Sequence, residues 1–134
     1  MSRDDETGAI TAAKYFFLEL YPYVEFTQDT AAWRAMSHAD CIFCKSVLET
    51  VATKQASGTV TAVAPMTIHS TEVHEVNPLM FTVTLDIDTG PDEDFNLDGV
   101  SLSRTTKVSG TVIIIVVRRG TEWVTRGVDL KQRP

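Results

Sequence analysis

Apolar side chains at Ile10, Ala13, Phe17, Leu20 and Val24 recur at three- and four-residue steps, which predicts a helix over residues 8–26. Tyr15, Phe16, Tyr21, Tyr23 and Phe26 widen its apolar face almost all round, the pattern of a deeply buried helix. Asp4, Asp5, Glu6 and Thr7 bring acidic charge and a cap to its start. Pro22 removes one amide donor and predicts a kink. After a loop at 27–30, with Asp29 or Thr30 as cap, a short helix from Ala31 to Met36 carries Trp33. A third helix, capped by Ser37 or Asp40 and stopped by Gly58, presents Cys44, Val47, Leu48 and Val51 on one face.

From residue 59 the period changes. "TVTAVAP" and "MTIHSTEVHEV" are rich in β-branched residues and alternate loosely, and "NPL" (77–79) is a turn. "FTVTLDID" (81–88) alternates strictly, with Phe81, Val83, Leu85 and Ile87 on one side and Thr82, Thr84, Asp86 and Asp88 on the other, as in a sheet with one wet face. Residues 89–99 read as an acidic loop, and 100–119 as one long strand or two with a bulge or bend at Gly110. A hairpin turn at 119–122 leads into the last strand, "WVTRGVDL". Three helices followed by four or five antiparallel strands predict an α+β fold in which a curved sheet wraps the long helix. Residues 1–7 read as a disordered or linker N-terminus and 8–134 as one domain.

Composition narrows the function classes. The 134 residues carry a net charge of −6, which argues against nucleic acid and against anionic lipid surfaces as partners. The longest apolar run, 112–117, is of strand length, far short of a bilayer span. The N-terminus "MSRDDETG" has neither the apolar region nor the cleavage site of a signal peptide, which at face value predicts the cytoplasm.

The candidate chemistry is sparse. Cys41 and Cys44 stand three apart at the start of the third helix, within reach of a disulfide. A redox pair, a metal site with His38, buried free thiols and a structural staple all remain open on spacing alone. Against the redox reading, a helix rather than a strand precedes the pair, and Asp40 opposes a thiolate. Against the metal reading, no second ligand pair completes the set.

Asp94, Asn96, Asp98 and Gly99 match the opening of a calcium loop, but the closing glutamate is replaced by Thr105, so a solvated hairpin is the plainer reading. His69 and His74, five apart, fall on opposite faces of a regular strand. Asp86 and Asp88 lie opposite the apolar face of their strand, which argues against a pocket role. Tyr15, Tyr23 and Trp33 are candidates to line a small apolar ligand, although aromatics at helical spacing mostly build core. With no glycine-rich phosphate loop and no nucleophile elbow, no cofactor and no catalytic residue is expected.

The stretch "YFFLELYPYVEFTQDTAAWRAMSHADCIFCKSV" (15–47) resembles a family of actinobacterial lipoproteins of unknown function, through its aromatic first helix, its T-x-D-T turn, its tryptophan and its C-x-x-C pair. That family is similar to the nuclear-transport-factor-2-like, cystatin-like α+β cones. The resemblance implies an extracytoplasmic, cell-envelope domain, attached to a membrane only through a lipid on an upstream cysteine. In that compartment the disulfide reading of Cys41 and Cys44 leads; in the cytoplasm reduced thiols would lead. The expected function is binding or protein interaction without catalysis, with a homodimer through the sheet face because "TVIIIVV" sheds apolar side chains on both sides. The alternative is a small-molecule isomerase or hydrolase using the cone interior.

Overall fold

The computed structural model describes residues 3–132. Helix α1 spans Glu6–Lys14, and its N-cap Asp5 accepts the Gly8 amide at 3.1 Å. It starts two residues before the predicted boundary. The preceding segment is tied down, because the Arg3 carbonyl accepts the Trp123 indole at 2.9 Å and the Arg118 guanidinium at 3.0 Å. Ahead of Pro22 the helix widens into a π-helical stretch, Tyr15–Leu20, and continues as α2, Tyr21–Thr27, so that the proline falls in the first turn of α2. Gln28 ends α2 in the left-handed conformation and sends its side-chain amide to the Thr59 carbonyl at 2.7 Å.

Helix α3 is Ala31–Met36 and α4 is Ile42–Ser57. The cap of α4 differs from both predicted candidates: it is Cys41, whose sulfur accepts the Cys44 amide at 3.1 Å. Gly58 closes α4 at φ 71°, the left-handed position that favours glycine.

Among the described residues seven strands follow, where four or five were expected. They are β1 (Thr59–Ala62), β2 (Thr67–Asn77), β3 (Met80–Thr89), β4 (Glu93–Asn96), β5 (Ser101–Arg104), β6 (Val108–Arg119) and β7 (Glu122–Gln132). The residues read as an acidic loop therefore contain β4, and 100–119 divides into β5 and β6. Two antiparallel sheets result, a larger one in the order β2-β3-β6-β7 and a smaller one in the order β1-β4-β5. Gly110 is no bulge, since it pairs in register with Ile87; a Cβ there would stand 2.9 Å from the Lys131 carbonyl, so close strand approach explains the residue. The irregularities of the larger sheet lie elsewhere, in β2 at His69 and Val76 and in β7 at Arg126.

One face of the larger sheet packs on the helices. Phe81, Val83, Leu85 and Ile87 of β3 join Val112, Ile114 and Val116 of β6 and Trp123 of β7 against Ala9, Ala12, Ala13 and Phe17. A second cluster fills the space among the helices, with Phe16, Leu20, Val24, Trp33, Cys41, Cys44, Val47 and Val51. Phe43 and Val128 touch both. The first helix is not buried all round, for Tyr23 and Phe26 are 46% and 55% exposed.

Candidate functional site

Cys41 and Cys44 form a disulfide with Cα atoms 5.3 Å apart. The geometry follows from the sequence: a cap residue and the third residue of the first turn face the same side. Both sulfurs are fully buried. Above them Trp33 stacks on Phe16, ring centroids 4.0 Å apart, and gives its indole hydrogen to the Cys44 carbonyl at 3.1 Å. Just before the pair, His38 donates its amide to the Thr125 carbonyl at 2.9 Å, so residues 37–38 extend the edge of β7. A pair sealed in this way has no approach for an exchanging thiol in the folded state, which makes it a staple in form. His38 points to Asp40, its Nδ1 accepting the Asp40 amide at 3.0 Å.

Of the aromatic candidates, Trp33 is core. Tyr15 and Tyr23 share a groove of about 460 Å3 on the helical side, together with Glu19 and Asp29. The Tyr23 hydroxyl donates to Asp29 at 3.1 Å. The Asp94, Asn96 and Asp98 stretch is a tight β4–β5 hairpin. Asn96 Oδ1 accepts the Asp98 and Val100 amides, each at 2.9 Å, and the Asp94 oxygens accept the Thr61 and Ser103 hydroxyls at 2.6 and 3.1 Å. These oxygens are committed to closing the hairpin and tying it to β1. Among the described residues no three His, Cys, Asp or Glu side chains converge to hold a metal ion.

Inside the fold, an ionisable cluster links the helices to the smaller sheet. Glu25 on α2 is only 3% exposed. Lys54 on α4 reaches Glu25 at 3.3 Å and the Thr61 hydroxyl at 2.5 Å, and stands 3.9 Å from Asp94. The Thr61 and Ser103 hydroxyls hold the Asp94 carboxyl below its usual range, with the Lys54 charge adding to them against the effect of burial. Tyr21 lies beside this cluster and packs on Phe17, Phe43 and Trp33. Burial, reinforced by the Glu25 and Asp92 charges, pushes its phenol far above the usual range, so Tyr21 stays a neutral donor. Sequence reading missed this cluster because Glu25 and Lys54 are 29 residues apart and belong to no motif.

The outer face of the larger sheet is the remaining candidate. Here the register sets Thr82 beside Ile115, Thr84 beside Ile113 and Met80 beside Val117. Ile113, Ile115 and Val117 are half-buried, on the side away from the helix core. Asp86 and Asp88 lie on this face, as the alternation predicted. Ser70 and Thr111 donate to Asp86 at 3.0 and 2.8 Å, and Ser109 donates to Asp88 at 2.5 Å. His69 Nε2 stands 2.9 Å from Asp88, because the bulge at His69 shifts the alternation of β2. His69 and His74 therefore share the outer face, contrary to the regular-strand expectation, with His74 opposite Thr82. Hydrogen bonds from Ser109 and His69, aided by the nearby charges of His69 and Lys107, hold the Asp88 carboxyl down to about 2. Exposed Asp129 flanks this face opposite Ile113.

Solved structures share this architecture. The intermembrane-space region of the chloroplast protein ARC6 superposes with a TM-score of 0.68 over 98% of this chain and 99% of that one, at 13% identity. A putative scytalone dehydratase from Novosphingobium aromaticivorans gives 0.62 over 96% and 86%, at 11% identity. An uncharacterised protein with a cystatin-like fold from Caulobacter vibrioides gives 0.60 over 96% and 89%, at 11% identity. The fold is the nuclear-transport-factor-2-like, cystatin-like cone. No family model matches the sequence, and no curated protein matches it. At these identities the likeness shows the cone and leaves the activity to the site. No helix among the described residues is long and apolar enough to cross a membrane.

Proposed function

We propose that this chain is an extracytoplasmic, envelope-associated domain that acts by binding, without catalysis, and that pairs with a second copy through the outer face of its larger sheet. The observation that carries the reading is the row Ile113, Ile115 and Val117, which stands on the face opposite the helix core. Branched apolar side chains at three successive outward positions of a central strand gain from a cover, and a two-fold pairing of the face with itself supplies one. Four strands about 4.8 Å apart, on strands of about ten residues, present a face of several hundred Å2, the order of area that a stable dimer buries per partner. The extracytoplasmic placement is supported by the buried disulfide and by the resemblance of residues 15–47 to envelope lipoproteins of actinobacteria. A lipid on an upstream cysteine would then be the membrane attachment. Light scattering on a size-exclusion column at micromolar protein should give the mass of two chains, and Ile115→Lys should give one chain with an unchanged circular dichroism spectrum. A clean monomer for the unmodified chain would sink the dimer.

A second reading, a small-molecule isomerase or hydrolase working in the cone interior, draws on one observation, the buried Glu25 carboxylate beside the neutral Tyr21 hydroxyl. The likeness to a putative dehydratase fits it. It ranks second because Lys54 already occupies the Glu25 carboxylate and because Tyr21 is packed among Phe17, Phe43 and Trp33.

A further inference from the structure

The helical side carries a second surface, separate from the sheet face. Two grooves meet there and share Tyr15 and Glu19: one of about 520 Å3 toward Ile10, Lys14 and Leu18, and one of about 460 Å3 toward Tyr23 and Asp29. Together they follow α1, the π-helical stretch and α2 from Ile10 to Tyr23, a run of roughly 20 Å at helical rise. That is the length of about six residues of extended chain, too long for a single small molecule.

The chemistry of the two ends differs. At the Tyr23 end the ionisable groups lining the groove are acidic or phenolic, Glu19 and Asp29 with Tyr15 and Tyr23, and no cation among the described residues lines it. Glu19 is exposed and forms no ion pair among the described residues. Asp29 is held in place by the Tyr23 hydroxyl and by the Ala31 amide, which leaves lone pairs free for a cation. Tyrosine faces beside carboxylates suit guanidinium or ammonium groups, through cation–π attraction and charge-assisted hydrogen bonds. At the other end Ile10 and Leu18 offer apolar contact, and Lys14 discourages a second basic group.

We infer that this groove docks a short extended segment of another protein, with arginine or lysine side chains over Glu19 and Asp29 and apolar side chains over Ile10 and Leu18. The net charge of −6 steers a basic segment toward the domain and disfavours an anionic lipid surface as the occupant. Tyr15 and Tyr23 then have the binding role for which their residue type suits them, while Trp33 supports the groove from the core.

The test uses the full chain and a capped hexapeptide of two leucines, two alanines and two arginines, followed by titration calorimetry and by amide chemical shifts. The expected result is saturable binding at one peptide per chain, with shifts confined to residues 10–32. Glu19→Lys, at an exposed site without a partner, should keep the thermal midpoint and weaken binding by about tenfold or more. Tyr23→Ala should weaken it while the fold is kept, and a peptide with citrulline in place of arginine should bind far more weakly. Absence of saturation at millimolar peptide, equal affinity for Glu19→Lys, or shifts centred on the outer sheet face would each overturn the inference. Because the sheet face is not involved, the Ile115→Lys monomer should bind the peptide as the unmodified chain does.

Discussion

At the residue scale, Cys41 has two roles that can be separated. Its sulfur caps α4 by accepting the Cys44 amide, and its bond to Cys44 closes a loop with a sequence separation of 3. Loop closure this short stabilises by roughly 2 kcal/mol in the chain-entropy model. A lost helix cap costs about 1 kcal/mol. The pair Cys41→Ala with Cys44→Ala should therefore lose about 3 kcal/mol in urea unfolding. The pair Cys41→Ser with Cys44→Ala, which restores an oxygen at the cap, should lose about 2 kcal/mol. Equal losses for the two variants would mean that the sulfur's capping role carries no weight. The burial of both sulfurs adds a kinetic expectation: reduction of the unmodified chain proceeds no faster than the opening of α4 from β7.

At the element scale, the entry of the chain into α1 depends on Gly8. A helical glycine replaced by alanine ordinarily gains up to about 1 kcal/mol. Here a methyl on Gly8 would collide with the Arg3 carbonyl, the same oxygen that accepts Arg118 and Trp123. Gly8→Ala should therefore destabilise the chain despite its better propensity, and the Trp123 indole proton should lose its hydrogen-bonded shift. The helices and β3 were legible in the sequence because their burial has a strict period, 3.6 or 2, that a single pattern reveals. The cone itself is legible only as a resemblance carried by residues 15–47, with antiparallel strands after helices as its physical counterpart. What could not be read has local physical causes. The short β4 hides in an acidic stretch because its pairing with β1 and β5 supplies what its composition does not. The β2 bulge at His69 leaves no mark in a loose alternation, and a regular strand there puts the two histidines on opposite faces. Cys41 carries no cap signal in the sequence, because serine and aspartate, the usual caps, stand nearby at Ser37 and Asp40.

At the scale of the whole molecule, a polar seam ties the smaller sheet to the helices. Lys54 is the only cation among the described members of that seam, and it meets Glu25, Asp94 and Thr61. Removing Lys54 leaves Glu25 as a buried carboxylate without its counter-charge, and such a loss is severe where both partners are buried. Lys54 is 24% exposed, so solvent reaches the pair and Lys54→Met is expected to cost about 2 kcal/mol, less than a fully buried pair. Glu25→Gln added to Lys54→Met removes the uncompensated charge, so the double variant should recover at least half of that loss. The location of the damage identifies the seam better than its size does. Amides of β1 and β4 should exchange faster in Lys54→Met, while those of β3 and β6, held by the helix core on the far side, should keep their protection. Uniform loss of protection in both sheets would show instead that the two layers unfold as one unit and that Lys54 contributes to the domain as a whole. Preserved protection everywhere, with unchanged stability, would reduce the seam to a solvated ion pair and leave the packing of α2 and α4 against β1 to hold the smaller sheet.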